Sequence, residues 1–130
     1  MAFEAWGASL PELFIAAADA TMNVMISDLS MIQAREQRRL ELSDADADML
    51  LFKFLQEMIF YKDAERLLLR VRELEIRQRE GLYLVLAHAY GERIDVSRHE
   101  LLVDVKAVTL HRFNLTPTAS GWKTEVILDV

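Results

Sequence analysis

Residues 67–90 read LLLRVRELEIRQREGLYLVLAHAY. Leu67, Leu69 and Val71 share one parity, and Leu74 and Ile76 share the other. Side chains alternate across a strand with a period of two, so both halves spell strand. The change of parity near Arg72 predicts a bulge or a break, because a slip of one residue swaps the faces. Glu80-Gly81 is a turn signal, and Leu82 to Tyr90 returns as the second arm of a hairpin.

Upstream, the period changes. Leu50, Leu51, Phe54, Leu55, Met58, Ile59 and Tyr61 are dense enough for a largely buried helix over about Asp46 to Tyr61. The acidic run Ser43 to Asp48 suits its N-terminus. An earlier helix is predicted over Leu10 to Met25, with Leu10, Leu13, Phe14, Ala17, Ala18, Thr21, Val24 and Met25 along one stripe. Ser9 supplies a cap, Glu12 can reach back to it, and Pro11 falls in the first turn, where a missing N–H costs nothing. Met1 to Gly7 reads as a short strand and turn, Asp28 to Ile32 as a connection, and Arg38 to Leu42 as a strand. Downstream, Gly91 to Leu101 is polar and irregular. Leu102 to Leu115 is a long strand candidate, Pro117 to Gly121 a turn, and Lys123 to Val130 a last strand. Helices early and strands late predict an α+β fold, with two helices packed on one face of a mostly antiparallel sheet of five or six strands. No repeat or linker interrupts residues 1–130, which are read as a single domain.

Composition narrows the function. The 130 residues are 52% hydrophobic and 28% charged, which is globular and not disordered. There is no cysteine, which excludes disulfides and thiolate metal sites. No apolar run approaches the roughly 20 residues that span a bilayer, and the start lacks the pattern of a signal peptide, so the cytoplasm is the expected location. The net charge of −6 argues against a protein that grips a phosphate backbone, and favours contact with a protein partner over contact with RNA. The basic stretches Arg35 to Arg39 and Arg66 to Arg79 are interleaved with Glu and read as solvated strand faces.

Residues suited to catalysis are sparse. The four glycines are isolated, and His88, His99 and His111 fit no ligand spacing. No motif marks a nucleophile. Lys106 lies inside Val103-Asp104-Val105-Lys106-Ala107-Val108, where a lysine is either wet or paired, and Asp104 is a candidate partner. His111 shares the same predicted strand. At the end of the chain, Asp129 and the Val130 carboxylate bring anionic oxygens close together, a donor set suited to a hard cation. A stand-alone hydrolase using Asp63, Asp104, Asp129 and a metal is the alternative of another class.

Several stretches together resemble the archease family. They are Gly7 to Phe14, Phe52 to Phe60 followed by Asp63, and Gly91-Glu92-Arg93 with Asp95 and Arg98-His99. The others are Val105-Lys106-Ala107-Val108-Thr109 with His111, and Gly121-Trp122 leading to Asp129-Val130. The resemblance covers essentially the whole chain. It implies a non-enzymatic partner of an RtcB-type RNA-splicing ligase, one that promotes guanylylation of the ligase and its multiple turnover in tRNA splicing. A general chaperone or modulator of nucleic-acid-processing proteins is the second implied role. The resemblance also implies a divalent cation, calcium, held by an Asp of the first strand, an Asp near the C-terminus and the terminal carboxylate. Asp129 and Val130 match the last two. Lys106, His111 and Asp63 are the further functional candidates. The family pattern has His-Thr-Ala-Asp before the first strand, and Met1 stands immediately after the expected Asp. A start placed too late in the sequence is the expected reason, and without that Asp cation binding should be weak.

Overall fold

The computed structural model describes residues 1–130. In chain order it forms β1 (Ala2–Gly7), α1 (Leu10–Met25), a 3-10 turn (Leu29–Met31), β2 (Glu36–Asp44), α2 (Ala47–Glu65), β3 (Leu67–Arg79), β4 (Leu82–Arg93), β5 (Ala107–Thr118) and β6 (Gly121–Asp129). The α+β class, the two helices and the six antiparallel strands agree with the sequence reading.

The strands divide into two sheets, ordered β1-β6-β5 and β2-β4-β3, where a single sheet was expected. β4 is flanked by β2 and β3, and β6 by β1 and β5, and no edge strand of one sheet pairs with an edge strand of the other. α1 packs against β1, β3 and β6, and α2 against β2, β3, β4 and β5. Each helix thus touches both sheets, and the buried residues of all these elements form one continuous core. No helix is long and apolar enough to cross a membrane.

α1 has the bounds its periodicity predicts, with Leu13, Phe14, Ala17, Ala18, Thr21, Met22 and Met25 buried. The Glu12 N–H donates to Ser9 Oγ at 3.3 Å, and the Glu12 carboxylate accepts from the Ala8 N–H at 3.0 Å. α2 runs four residues beyond the predicted Tyr61 and stops where Arg66 turns left-handed at φ 51°. The β3–β4 hairpin turns through Glu80 (φ 53°) and Gly81 (φ 78°), the pair of positive φ values that a two-residue hairpin loop favours. The bulge is present, with the register shifting between Val71 and Glu73. A Cβ on Gly91 of β4 would come 1.7 Å from the Leu68 carbonyl oxygen, so the close approach of β3 needs glycine there.

The strand predicted from Leu102 begins only at Ala107. Residues 101–106 instead tie two other elements. The Leu102 N–H donates to the Met25 carbonyl at 2.8 Å at the end of α1, and the Lys106 N–H donates to the Asp129 carbonyl at 2.8 Å. Leu101, Leu102 and Val103 are left exposed while Val105 is buried.

Candidate functional site

The end of β6 and the approach to β5 meet beside the last turn of α2. Two bonds from α2 set this geometry. The Gln56 side chain accepts from the Val108 N–H at 2.8 Å, and the Lys62 ammonium donates to the Val105 carbonyl at 2.7 Å. Lys62 is only 5% exposed and also donates to Asp104 at 2.7 Å and pairs with Asp63. Burial pulls the lysine pKa down, but the Asp104 and Asp63 carboxylates outweigh it and hold the pKa above its ordinary value. Lys62 therefore stays charged and pins residues 104–105 to the helix.

The sequence-derived candidates fall around this pin. Asp63 and Asp104 are both engaged on Lys62. That corrects the pairing expected of Asp104, which goes to Lys62 and not to Lys106. Lys106 lies ahead of β5, not inside an apolar strand, and its side chain is exposed and free of any ion pair. Its backbone bond to Asp129 puts it next to the end of β6. Ala107 and Asp129 are register partners, and the Asp129 and Val130 side chains are exposed. His111 is exposed on β5, between Thr109 and Asn114, where the pairing with β6 is interrupted. It makes no side-chain bond to the Lys62 group. The orphan among buried side-chain polar atoms is Thr109 Oγ1, two residues along β5 from the Ala107–Asp129 pair.

Two carboxylates at the end of β6 suit a hard cation in kind. They fall short in number, since no three His, Asp or Glu side chains come together as a metal-holding group, and Asp63, Asp104 and Asp129 do not converge. Nor does any hydroxyl donate to a histidine. The side-chain bonds of histidine are those of His99 alone.

His99 belongs to a second polar group, at the far end of β4. Glu92 is 3% exposed. It accepts from the Gln33 N–H at 3.1 Å and from His99 Nε2 at 2.8 Å, and pairs with Arg98 and, at 3.3 Å, with Arg35. Burial pushes the carboxyl pKa up, yet Arg98, Gln33 and His99 outweigh it and hold the pKa at about 2. His99 Nδ1 accepts from the Asp95 N–H at 2.9 Å, which leaves the ring proton on Nε2, facing Glu92. Asp95 in turn accepts from the Ser97 N–H and hydroxyl. The network locks the segment that leads into exposed Leu101 to Val103.

Sequence reasoning missed Lys62 altogether. The signal was present: Lys62 stands four residues after Met58 and three after Ile59, on the buried stripe of α2.

Comparison with known proteins identifies the family and the fold. The profile of the Archease protein family (MTH1598/TM1083) matches residues 1–130. The chain is 33% identical to Protein archease of Pyrococcus abyssi over 126 residues, covering 96% of this chain and 88% of that protein. It is 37% identical to Protein archease of Methanothermobacter thermautotrophicus over 129 residues, covering 98% and 90%. Among solved structures, protein 1598 of Methanobacterium thermoautotrophicum superposes with a TM-score of 0.86 at 34% identity, covering 99% of this chain and 91% of that one. A Thermotoga maritima protein described as an archease and possible chaperone shares the fold, with a TM-score of 0.68 at 17% identity over 100% and 90% of the two chains.

Proposed function

The chain belongs to the archease family, and from that premise we propose that it is a partner protein that activates an RtcB-type RNA-splicing ligase, promoting its guanylylation and repeated turnover. The observation that carries this reading is the character of the β6 end. Beside it the buried Lys62 of α2 is spent on holding Asp104 and Val105, which follow directly in the chain on exposed Leu101, Leu102 and Val103. That is the make-up of a docking surface, with apolar side chains rimmed by charge, and not of a reaction pocket with a nucleophile and its base. Lys106, Asp129 and the Val130 carboxylate are the free charged groups that approach the ligase. The Asp129 and Val130 carboxylates bind calcium weakly, because two carboxylates alone leave most of the ion's dehydration uncompensated.

The test is ligase guanylylation with and without the chain. Asp129→Ala should remove the stimulation and the calcium-induced shifts of the β6 amide signals while leaving thermal unfolding unchanged. Full stimulation by Asp129→Ala would overturn the site, and no stimulation by the unaltered chain would overturn the function. General chaperone action is the second reading, favoured by the same exposed Leu101 to Val103. It requires suppression of aggregation of an unrelated unfolding protein, abolished by Leu102→Asp.

A further inference from the structure

The other sheet carries a feature that the docking surface does not use. The outward row across β2, β4 and β3 is Arg39, His88 and Glu73, and Gln37 and Tyr90 form the next row. Regular alternation would send Arg72 and Glu73 to opposite faces. The bulge after Val71 breaks the alternation, and both residues line the same shallow cavity of about 370 Å³, together with Gln37, Arg39, His88 and Tyr90. Arg72 lies over the Tyr90 ring, 4.5 Å from its centroid.

The charges there are not balanced internally. Arg38, which borders the cavity, is engaged by Glu36 and Glu65, and Arg70 on the adjacent edge by Asp19. Arg39 and Arg72 have no carboxylate within ion-pair distance, although the chain has 21 acidic residues against 15 Lys and Arg. Glu73 is the one acid lining the cavity. Two unpaired guanidinium forks suit the bidentate geometry of a phosphate. A guanidinium plane backed by an aromatic ring is a platform on which a base stacks.

We propose that this outer face of the β2-β4-β3 sheet binds a phosphate-bearing nucleotide, free or within a single RNA strand, through Arg39, Arg72 and His88 with the Arg72–Tyr90 stack beneath the base. The net charge of −6 is no obstacle, because a phosphate a few ångströms away responds to the local charges and the rest are screened over a Debye length of about 10 Å. The site shares no residue with the docking surface around Lys62 and Asp129, so either reading can fail without the other.

The experiment is titration of the purified chain with GMP, followed by amide NMR, and with a fluorescent single-stranded RNA decamer, followed by anisotropy. Shifts should centre on residues 37–39, 72–73 and 88–90. Affinity for the RNA should fall about tenfold to fortyfold between 50 and 300 mM salt, the slope expected for two or three phosphate contacts. The double variant Arg39→Gln, Arg72→Gln should bind at least tenfold more weakly while unfolding cooperatively within a few degrees of the unaltered chain, since neither side chain has an ion-pair partner to lose and only the contact of exposed Arg72 with Tyr90 goes. Glu73→Gln should tighten binding, a gain that a merely structural role would not produce. GMP binding supports the free nucleotide as ligand, and RNA binding without GMP binding supports the strand. Absence of both at 50 mM salt, binding that the double variant leaves intact, or equal binding of an acidic peptide would overturn the proposal.

Discussion

Replacing Glu92 with glutamine keeps the shape of the side chain and removes its charge. In the folded chain that carboxyl titrates at about 2 against an ordinary 4.5. A depression of that size is worth about 3 kcal/mol of folding stability at neutral pH. The sign follows from the direction. A carboxyl depressed by folding stabilises above the unfolded value of 4.5, and the contribution drains away as pH falls towards 2. Glutamine can still accept from the Gln33 N–H, but its amide group donates where Arg98, Arg35 and His99 also donate. Urea unfolding at pH 7 should therefore show Glu92→Gln less stable by about 3 kcal/mol, a large share of the 5–15 kcal/mol that such chains have. The deficit should shrink to about half at pH 3, where the unfolded carboxyl is protonated and the folded one mostly is not. Equal stability at pH 7, or a deficit that stays constant down to pH 3, would refute the reasoning.

Lys62→Met should cost about 1–2 kcal/mol in urea unfolding, mostly for the Val105 carbonyl left without its donor, since Asp63 and Asp104 are exposed and rehydrate. Hydrogen exchange of residues 104–108 should quicken in the same variant. Lys106→Ala should separate from it, with unchanged unfolding and reduced ligase stimulation, because Lys106 is exposed and unpaired. Gly91→Ala should lose more than about 3 kcal/mol or fail to fold, read from soluble yield and thermal unfolding, since its Cβ would strike the Leu68 backbone. The bidentate Arg70–Asp19 pair is under one-third exposed on each side, and a double-mutant cycle with Arg70→Gln and Asp19→Asn should return a coupling of about 1 kcal/mol.

Legibility in the sequence followed the range of the interaction. The cap and stripe of α1 and the parity slip of β3 are encoded within a few residues, and both were readable. The true end of α2 was not, because Lys62 looks like the end of an apolar stripe and is in fact its continuation, made tolerable by Asp104 from 42 residues away. The run from Leu102 to Val105 reads as strand because it is apolar, but those residues are mostly exposed and bonded to the end of α1. Periodicity cannot tell an apolar surface from an apolar core. The Glu92 network joins Gln33, Arg35, Arg98 and His99 across up to 59 residues, and no local pattern announces it. The nearness of Lys106 to Asp129 rests on a backbone bond that the sequence does not display.

Mixed charge along a strand is commonly a solvated face, and Arg77 with Glu75 on β3 is such a case. The same strand shows why composition alone cannot decide. With more acids than bases, a chain has carboxylates enough to match every cation, so an unmatched cation reflects placement and not scarcity. Lys106 is unmatched at the end of β6, Arg39 and Arg72 are unmatched on the outer face of the other sheet, and Arg66, Arg79 and Arg112 are unmatched singly elsewhere. Arg39 and Arg72 repel each other in one cavity, and Glu73 is the one acid there to offset Arg38, Arg39 and Arg72. The bulge at Arg72 interrupts a ladder of backbone bonds to put the second guanidinium there. That placement stacks Arg72 on Tyr90 but leaves its charge without a carboxylate, and the proposed external anion is the missing partner.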